Sequence, residues 1–323
     1  GSFVQRRLGK EALDKIAEPL LSGIHVSDPN RLSLKSSFPR LMDVEQKHGS
    51  LIRGMLAARR MMAKSSNGSR PALPMFITLR GGMQQLVDTL AGELDADALQ
   101  TDSAVASVSS LSTGGPPYAV RVQDGRTLHA DAVILTTPSD VSSALLTGLD
   151  TPLAEELAEI RYVSTAVVSL GFGPNGKLAP LNGFGFIIPK AEGRRITACT
   201  WSSTKFDYRA PEEHQLVRCF VGGPGREEMV DLEDDTLIRV VREELGDIMG
   251  LRAEPDLVRI FRWHKVNPLY DLGHLDRVTH MREQAQVHSG RFLAGSSYDG
   301  VGVPDCVRQA EVAVDGALTG LLE

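Results

Sequence analysis

The residues with most to offer chemically lie near the C-terminus, in the run Phe292-Leu293-Ala294-Gly295-Ser296-Ser297-Tyr298-Asp299-Gly300-Val301-Gly302-Val303-Pro304-Asp305-Cys306. Its composition predicts a short buried strand, a glycine-rich turn and a helix continuing through Leu322. Gly300 and Gly302 carry no Cβ, so the backbone there can turn sharply and lie close against a flat ligand. Pro304 suits the first turn of a helix, where a missing N–H leaves no bond unmade. The free N–H groups at such a helix start suit an electron-rich or anionic ligand edge. A plain strand-to-helix corner needs the same glycines, and spacing alone favours that simpler reading.

A second glycine cluster, Gly171-Phe172-Gly173-Pro174-Asn175-Gly176, matches G-x-G-x-x-G and follows a predicted strand. A nucleotide fingerprint also requires a helix whose N-terminus receives the pyrophosphate. Lys177 to Gly183 has loop composition instead, so the cluster is expected to be a turn. No acid–base dyad is visible, and no catalytic side chain is assigned. His25 and His48 lack partners at ligand spacing, so no metal site is predicted. The three cysteines, Cys199, Cys219 and Cys306, lie far apart without C-x-x-C spacing, as expected of reduced thiols in a cytoplasmic protein.

The elements that must position these residues belong to a chain of 323 residues, long enough for a sizeable core and two domains. Its 42% hydrophobic and 24% charged content is that of an ordinary globular protein, and a net charge of −6 gives no support for nucleic acid as a partner. No apolar run reaches the length of a membrane span. Gly1-Ser2 has the look of a cloning remnant, and the chain then enters a helix abruptly.

Residues 3 to 64 are helical in pattern. Leu8, Ala12, Leu13, Ile16, Ala17 and Leu20 form an amphipathic stripe that Pro19 should kink or end. A short helical stretch lies among Ser33, Ser36 and Ser37, and a second long helix spans Leu41 to Lys64. Lys64 to Pro74 is a loop by composition, with 65–73 expected to be flexible. Phe76 to Leu79 is expected to be a strand, followed by the turn Arg80-Gly81-Gly82-Met83 and a helix through Leu94. From Val105 the period changes to two, giving strands at Ala106–Val108, Tyr118–Val122 and Thr127–Ala130, and a continuous apolar strand follows at Ala132–Leu135, closed by Thr136-Thr137-Pro138. Gly114-Gly115-Pro116-Pro117 and Asp124-Gly125 are turns. Helices over 139–160 precede strands at Ser164–Leu170, Gly185–Pro189, Ile196–Ser202 and Leu216–Val221, spaced as an antiparallel or mixed sheet.

The closing motif, the segment Glu18-Pro19-Leu20-Leu21-Ser22-Gly23, the turn at Arg80–Met83, and the blocks Thr197–Ser203, Phe220-Val221-Gly222-Gly223 and Arg262-Trp263-His264 resemble the protoporphyrinogen/coproporphyrinogen oxidase family. That family belongs to the amine-oxidase-like FAD flavoproteins, and the resemblance runs from about Phe3 to Leu322. It implies an α/β and α+β chain: the C-terminal part of a Rossmann-like FAD domain, a mixed β-sheet substrate domain and a helical domain. The segments implied are 3–70 (helical), 71–140 (FAD), 141–286 (substrate sheet with flanking helices) and 287–323 (FAD strand and helix).

The activity implied is oxidation of a porphyrinogen to a porphyrin in heme biosynthesis, with FAD as cofactor and oxygen as acceptor, giving hydrogen peroxide. Such a reaction needs a flavin, an apolar slot for the tetrapyrrole and cations for its carboxylates. By family matching, Val105 (through its backbone), Thr137, Trp263, Gly295, Gly300, Gly302 and Val303 contact the cofactor, while Ile187, Thr200 and Phe220 line the slot. Each slot residue equally suits an ordinary strand core. Arg262, His264 and His274 accompany Trp263.

Some relatives use the helical domain to sit on membranes. Here both charge signs on its polar face favour packing within the protein, so peripheral membrane contact is secondary to a cytoplasmic location. An N-terminal fingerprint and its ribose-binding acidic residue are absent. The chain is therefore expected to be the middle and C-terminal part of its parent, to hold little FAD by itself, and to expose a strand edge through which two copies could pair. The alternatives are another amine-oxidase-like flavoenzyme, such as a carotenoid desaturase, or a folded module without activity. Desaturases share the C-terminal glycine motif but would not be expected to share Glu18–Gly23.

Overall fold

The computed structural model describes residues 1–65, 76–111, 116–176 and 181–322. The expected flexible loop from residue 66 onward and the Gly114-Gly115 turn fall outside them. The strands are β1 (Val105–Ser110), β2 (Tyr118–Val122), β3 (Thr127–Ala130), β4 (Val133–Leu135), β5 (Tyr162–Phe172), β6 (Gly185–Ile187), β7 (Ala198–Trp201), β8 (Gln215–Gly222), β9 (Leu257–Pro268) and β10 (Arg291–Leu293). They fall into two compact units. One comprises 1–31, 40–96 and 163–267, and the other 32–39, 97–162 and 268–323.

In the first unit β6, β7, β8, β5 and β9 form one sheet in that order, antiparallel across β6–β7, β7–β8 and β8–β5. Alternation decides its two faces, since successive side chains point opposite ways. Val168, Leu170, Cys199, Val217, Cys219 and Val221 join Leu237, Val241 and Leu245 of helix Asp234–Met249 in one core. Cys199 and Cys219, distant in sequence, are opposite each other in register and both free. A hydrogen bond between them, then burial, pushes the Cys219 thiol well above its ordinary pKa.

The segment before this sheet has the interruption expected at Pro19 and departs from expectation in three further places. Helix Glu18–His25 takes Pro19 into its first turn, directly after a π-helical turn at Leu13–Ala17. The wider turn interrupts the bonding ladder where proline has no N–H to offer. The expected second long helix is two, Pro39–His48 and Leu51–Ser65, broken at Gly49, whose φ of 65° ends a helix readily. Phe76–Leu79 forms no strand. In place of a strand ladder, the Arg209 guanidinium donates to the carbonyls of Leu79 (2.9 Å) and Arg80 (3.2 Å) and to Thr78 Oγ1 (3.0 Å). The helix that follows, Gln84–Gly92, stops short of Leu94.

In the second unit β1, β2 and β3 form an antiparallel sheet, and β10 pairs in parallel with β4, Phe292 opposite Ile134. Helices Ser139–Leu146, Thr151–Ala158 and His274–Val287 cover these strands. Leu146, Leu153, Leu157, Val278, Met281 and Tyr298 are buried in one core with Leu135 and Leu293. That shared core draws 141–162 and 268–286 into the same unit as 287–323, so the unit boundaries differ from the segment boundaries read from sequence.

Gly290 sets the entry of β10. Its φ is 84°, its carbonyl accepts the Val133 N–H at 2.7 Å, and a Cβ would lie 2.6 Å from the Asp131 carbonyl oxygen. Gly290→Ala is expected to cost about 1–3 kcal/mol through backbone strain and this clash. Thermal unfolding followed by circular dichroism checks it, and an unchanged midpoint would show that the strand pair tolerates a side chain there.

Candidate functional site

In the second unit, β10 ends at the glycine-rich turn and helix Val303–Leu322 follows. Gly300 has φ 101°, and a Cβ built there would sit 2.4 Å from Asp305 Cγ. Two independent reasons thus demand glycine: the left-handed backbone and the carboxylate beneath it. Val301 and Val303 remain about half exposed. The turn therefore offers a small apolar surface interrupted by residues without side chains, which suits the face of a flat ring.

The turn is held by three aromatic side chains. The Tyr270 hydroxyl donates to the Ser296 carbonyl at 2.8 Å and accepts the Gly300 N–H at 2.9 Å, spanning the loop from end to end. His274 stacks on Tyr270 at 4.0 Å, and its Nε2–H donates to the Tyr298 carbonyl at 2.9 Å. The Tyr162 hydroxyl meets Ser297 Oγ at 2.6 Å and accepts the Ser139 N–H at 2.7 Å. Within this unit His274 thus has Tyr270 and Tyr298 as partners. Nothing in the spacing of Tyr162, Tyr270 and His274 pairs them with residues 296–300; only the tertiary fold does.

The ends of the parallel pair bring further predicted residues together. The Ala294 N–H donates to the Leu135 carbonyl at 3.1 Å, and a Cβ on Gly295 would approach the Thr136 carbonyl at 3.5 Å. Thr137 Oγ1 shares a 2.7 Å hydrogen bond with Ser142 Oγ. Thr137, Gly295, Gly300, Gly302 and Val303 thus lie beyond the carboxyl ends of two parallel strands, the end at which α/β sheets bind ligands. Val105 lies on the other sheet of this unit, opening β1 opposite Val122 just before a bulge.

Ile187, Thr200 and Phe220 belong to the first unit. Register aligns Ile187 with Ala198 and Ala198 with Phe220, while Thr200 stands between Gly185 and Arg218. All three predicted residues therefore share the sheet face opposite the Cys199–Cys219 core. Ile187 is 38% exposed; Thr200 and Phe220 are half-buried. In β9, Val258 and Ile260 pack on the core, so Phe261 and Trp263 alternate onto the open face and are half exposed. Arg262 turns inward, donating to the carbonyls of Val230 (2.8 Å) and Leu232 (2.6 Å). Its role is to hold the approach to helix Asp234–Met249. His264 lies 3.6 Å from Asp231.

The Gly171–Gly176 cluster is a turn, as expected. Gly171 and Phe172 end β5, Pro174–Gly176 form a 3₁₀ turn, and the Gly173 N–H donates to Asp256 Oδ2 at 2.6 Å. The chain's own carboxylate takes the place a phosphate would need. Among the described residues, no group of three or more His, Cys, Asp or Glu side chains could hold a metal, and no helix is long and apolar enough to cross a membrane.

Burial holds the His274 imidazole below its ordinary pKa of 6.5, partly offset by its bond to the Tyr298 carbonyl. The unfolded chain therefore takes up a proton that the folded chain refuses. The stability contributed by neutral His274 is complete above pH 6.5 and is lost as pH falls below it. The thermal midpoint is expected to drop from pH 7.5 to about 5.5, with a shallower pH dependence in His274→Gln. Equal slopes in the two proteins would remove His274 as the source.

Three comparisons bear on this arrangement. The family of flavin containing amine oxidoreductases matches residues 1–318. The chain is 37% identical over 322 residues to the coproporphyrinogen III oxidase of Bacillus subtilis (strain 168), covering 99% of this chain and 67% of that protein. It is 30% identical over 335 residues to protoporphyrinogen oxidase 2, chloroplastic/mitochondrial, of Arabidopsis thaliana, covering 97% and 65%. A crystal structure of a candidate protoporphyrinogen oxidase from Exiguobacterium sp. 255-15 superposes with a TM-score of 0.84 at 33% identity, covering 100% of this chain and 67% of that one. The chain thus spans about two thirds of the length of the proteins it matches. With the match running through both units, and through the glycine turn and the open sheet face alike, the chain belongs to the flavin containing amine oxidoreductase family.

Proposed function

We propose that this chain carries the flavin-contacting C-terminal turn and the substrate-facing sheet of an FAD-dependent porphyrinogen oxidase of heme biosynthesis, with oxygen as electron acceptor. The single observation that carries this reading is the alignment of Ile187, Ala198 and Phe220 in adjacent strands, with Thr200 on the same open face. Three neighbouring strands offering apolar, partly exposed groups on one face suit a broad flat macrocycle. Between them Ala198 and Val167 are buried, while Ile187, Thr200 and Phe220 stay partly exposed. The relatives' names give the reading its chemistry: one is a coproporphyrinogen III oxidase and another a protoporphyrinogen oxidase.

FAD would rest with its ring system along Gly300, Gly302 and Val303, near Gly295, Thr137 and the Val105 backbone. Bound flavin supplies the hydride acceptor. The chain's own part is to present a flat surface, hold it rigid through Tyr270, and bind the apolar body of the substrate through Phe220 and Ile187. The reading puts the enzyme in the cytoplasm, with membrane contact no more than peripheral.

Two measurements test it. In the flavin-loaded enzyme that contains this chain, Phe220→Ala is expected to raise KM for the porphyrinogen by the equivalent of about 1–3 kcal/mol, the worth of one apolar contact. An unchanged KM at unchanged stability would remove Phe220 from the substrate site. Purified 1–323 is expected to show no stoichiometric visible flavin band, even after incubation with excess FAD and desalting. Its one G-x-G-x-x-G cluster is closed by Asp256, and charge-assisted bonds to phosphates are worth roughly 1.5–3 kcal/mol each. A full flavin band would mean that the C-terminal turn dominates cofactor affinity.

A further inference from the structure

Two cations, Arg218 on this sheet face and Lys205 at the end of the short helix Ser202–Lys205, have no role accounted for above. Arg218 lies on β8 two residues from Phe220, directly across from Thr200 on β7 and from Ser169 on β5. Its guanidinium carbon lies 5.6 Å from the centroid of the Phe220 ring. Lys205 Nζ lies 3.8 Å over the Phe76 ring and 5.5 Å from that of Phe206, and Phe76 in turn meets Phe184 edge-on at 5.6 Å. Neither cation has a carboxylate partner among the described residues, whereas Arg194, Arg195, Arg239, Arg242 and Arg262 of the same unit are all in ion pairs. Arg209 is also accounted for, by the carbonyls of Leu79 and Arg80.

Arg218 is exposed and Lys205 half-buried, and neighbouring groups crowd both. Burial lowers the pKa of both Arg218 and Lys205, and for Lys205 repulsion from Arg218 adds to it. Two cations that repel each other, set among aromatic rings and facing away from the core, are complementary to one kind of ligand: a flat apolar body with a carboxylate at its edge. Arg offers a planar fork for bidentate carboxylate binding, and its stacking on a ring limits the freedom lost on binding.

We propose that Arg218, assisted by Lys205, binds a carboxylate of the tetrapyrrole while Phe220 and Thr200 contact its apolar body. This rests on the porphyrinogen reading given above and adds to it a residue that selects for the acidic side chain of the substrate.

The test uses the stable oxidised product as probe. Coproporphyrin III and its tetramethyl ester are titrated into the 323-residue chain, and binding is followed by porphyrin fluorescence. The wild-type chain is expected to prefer the free acid. Arg218→Gln should weaken the acid about tenfold, as befits one charge-assisted contact, and leave the ester unchanged. Lys205→Gln should show a smaller loss of the same kind, and Arg218→Lys should recover part of the preference. Circular dichroism of each variant guards against misfolding. If Arg218→Gln keeps the full preference for the acid, Arg218 is not the carboxylate group, although the porphyrin reading stands. If the wild-type chain binds acid and ester alike and Phe220→Ala changes neither, both the proposal and the reading beneath it fall.

Discussion

A glycine-rich turn has few side chains with which to hold itself, and its peptide groups must still find partners. In this chain that constraint is met largely by the Tyr270 hydroxyl, which satisfies the Ser296 carbonyl and the Gly300 N–H at once. Much of the second unit serves to bring that hydroxyl to its place. His274 stacks on the ring and ties its own nitrogen to the Tyr298 carbonyl. Helix His274–Val287 anchors His274 by burying Val278, Met281 and Ala285 against Leu153, Leu157 and Leu293. Tyr162 secures the turn from another side through Ser297 and Ser139. A rigid, flat, side-chain-poor surface is thus obtained from bulky aromatic residues behind it.

The first unit solves a different problem with alternation. Its sheet commits one face to close packing beneath helix Asp234–Met249, while the other buries Val167 and Ala198 and leaves Ile187, Phe261 and Trp263 exposed. Stability resides in Val168, Val217, Cys219, Val221 and their partners. Recognition falls to the residues between them. Because the two sets interleave along the same strands, the open face inherits its geometry from the packed one without contributing much to it.

Most of the elements could be read from the chain. Period-two runs marked β1 to β3, strand composition marked β4 to β8, and the strand–turn–helix at the C-terminus follows from Phe292–Leu293, Gly300, Gly302 and Pro304. The glycine cluster at 171–176 could be dismissed because loop residues follow it, and the Asp256 carboxylate gives the physical reason it is closed. What could not be read was long-range. No local signal tells that Phe76–Leu79 would be held by Arg209, 129 to 131 positions away, and so form no strand. Nor does one tell that Tyr270 and Tyr162 serve a turn well over twenty residues further on. Resemblance supplied Ile187, Thr200 and Phe220 as a set, but their common face follows only from register, which sequence patterns specify weakly for strands as short as β6 and β7.

The interleaving in the first unit's sheet has an evolutionary corollary. Point substitutions at Ile187, Thr200 or Phe220 can drift toward a new ligand while the letters between them stay fixed by packing. A one-residue insertion early in β8 is another matter. It would exchange the two faces along the rest of that strand, turning Cys219 and Val221 outward and driving Arg218 and Phe220 into the core. Diversification of this sheet is therefore channelled through replacement, and length variation is confined to the connections between strands.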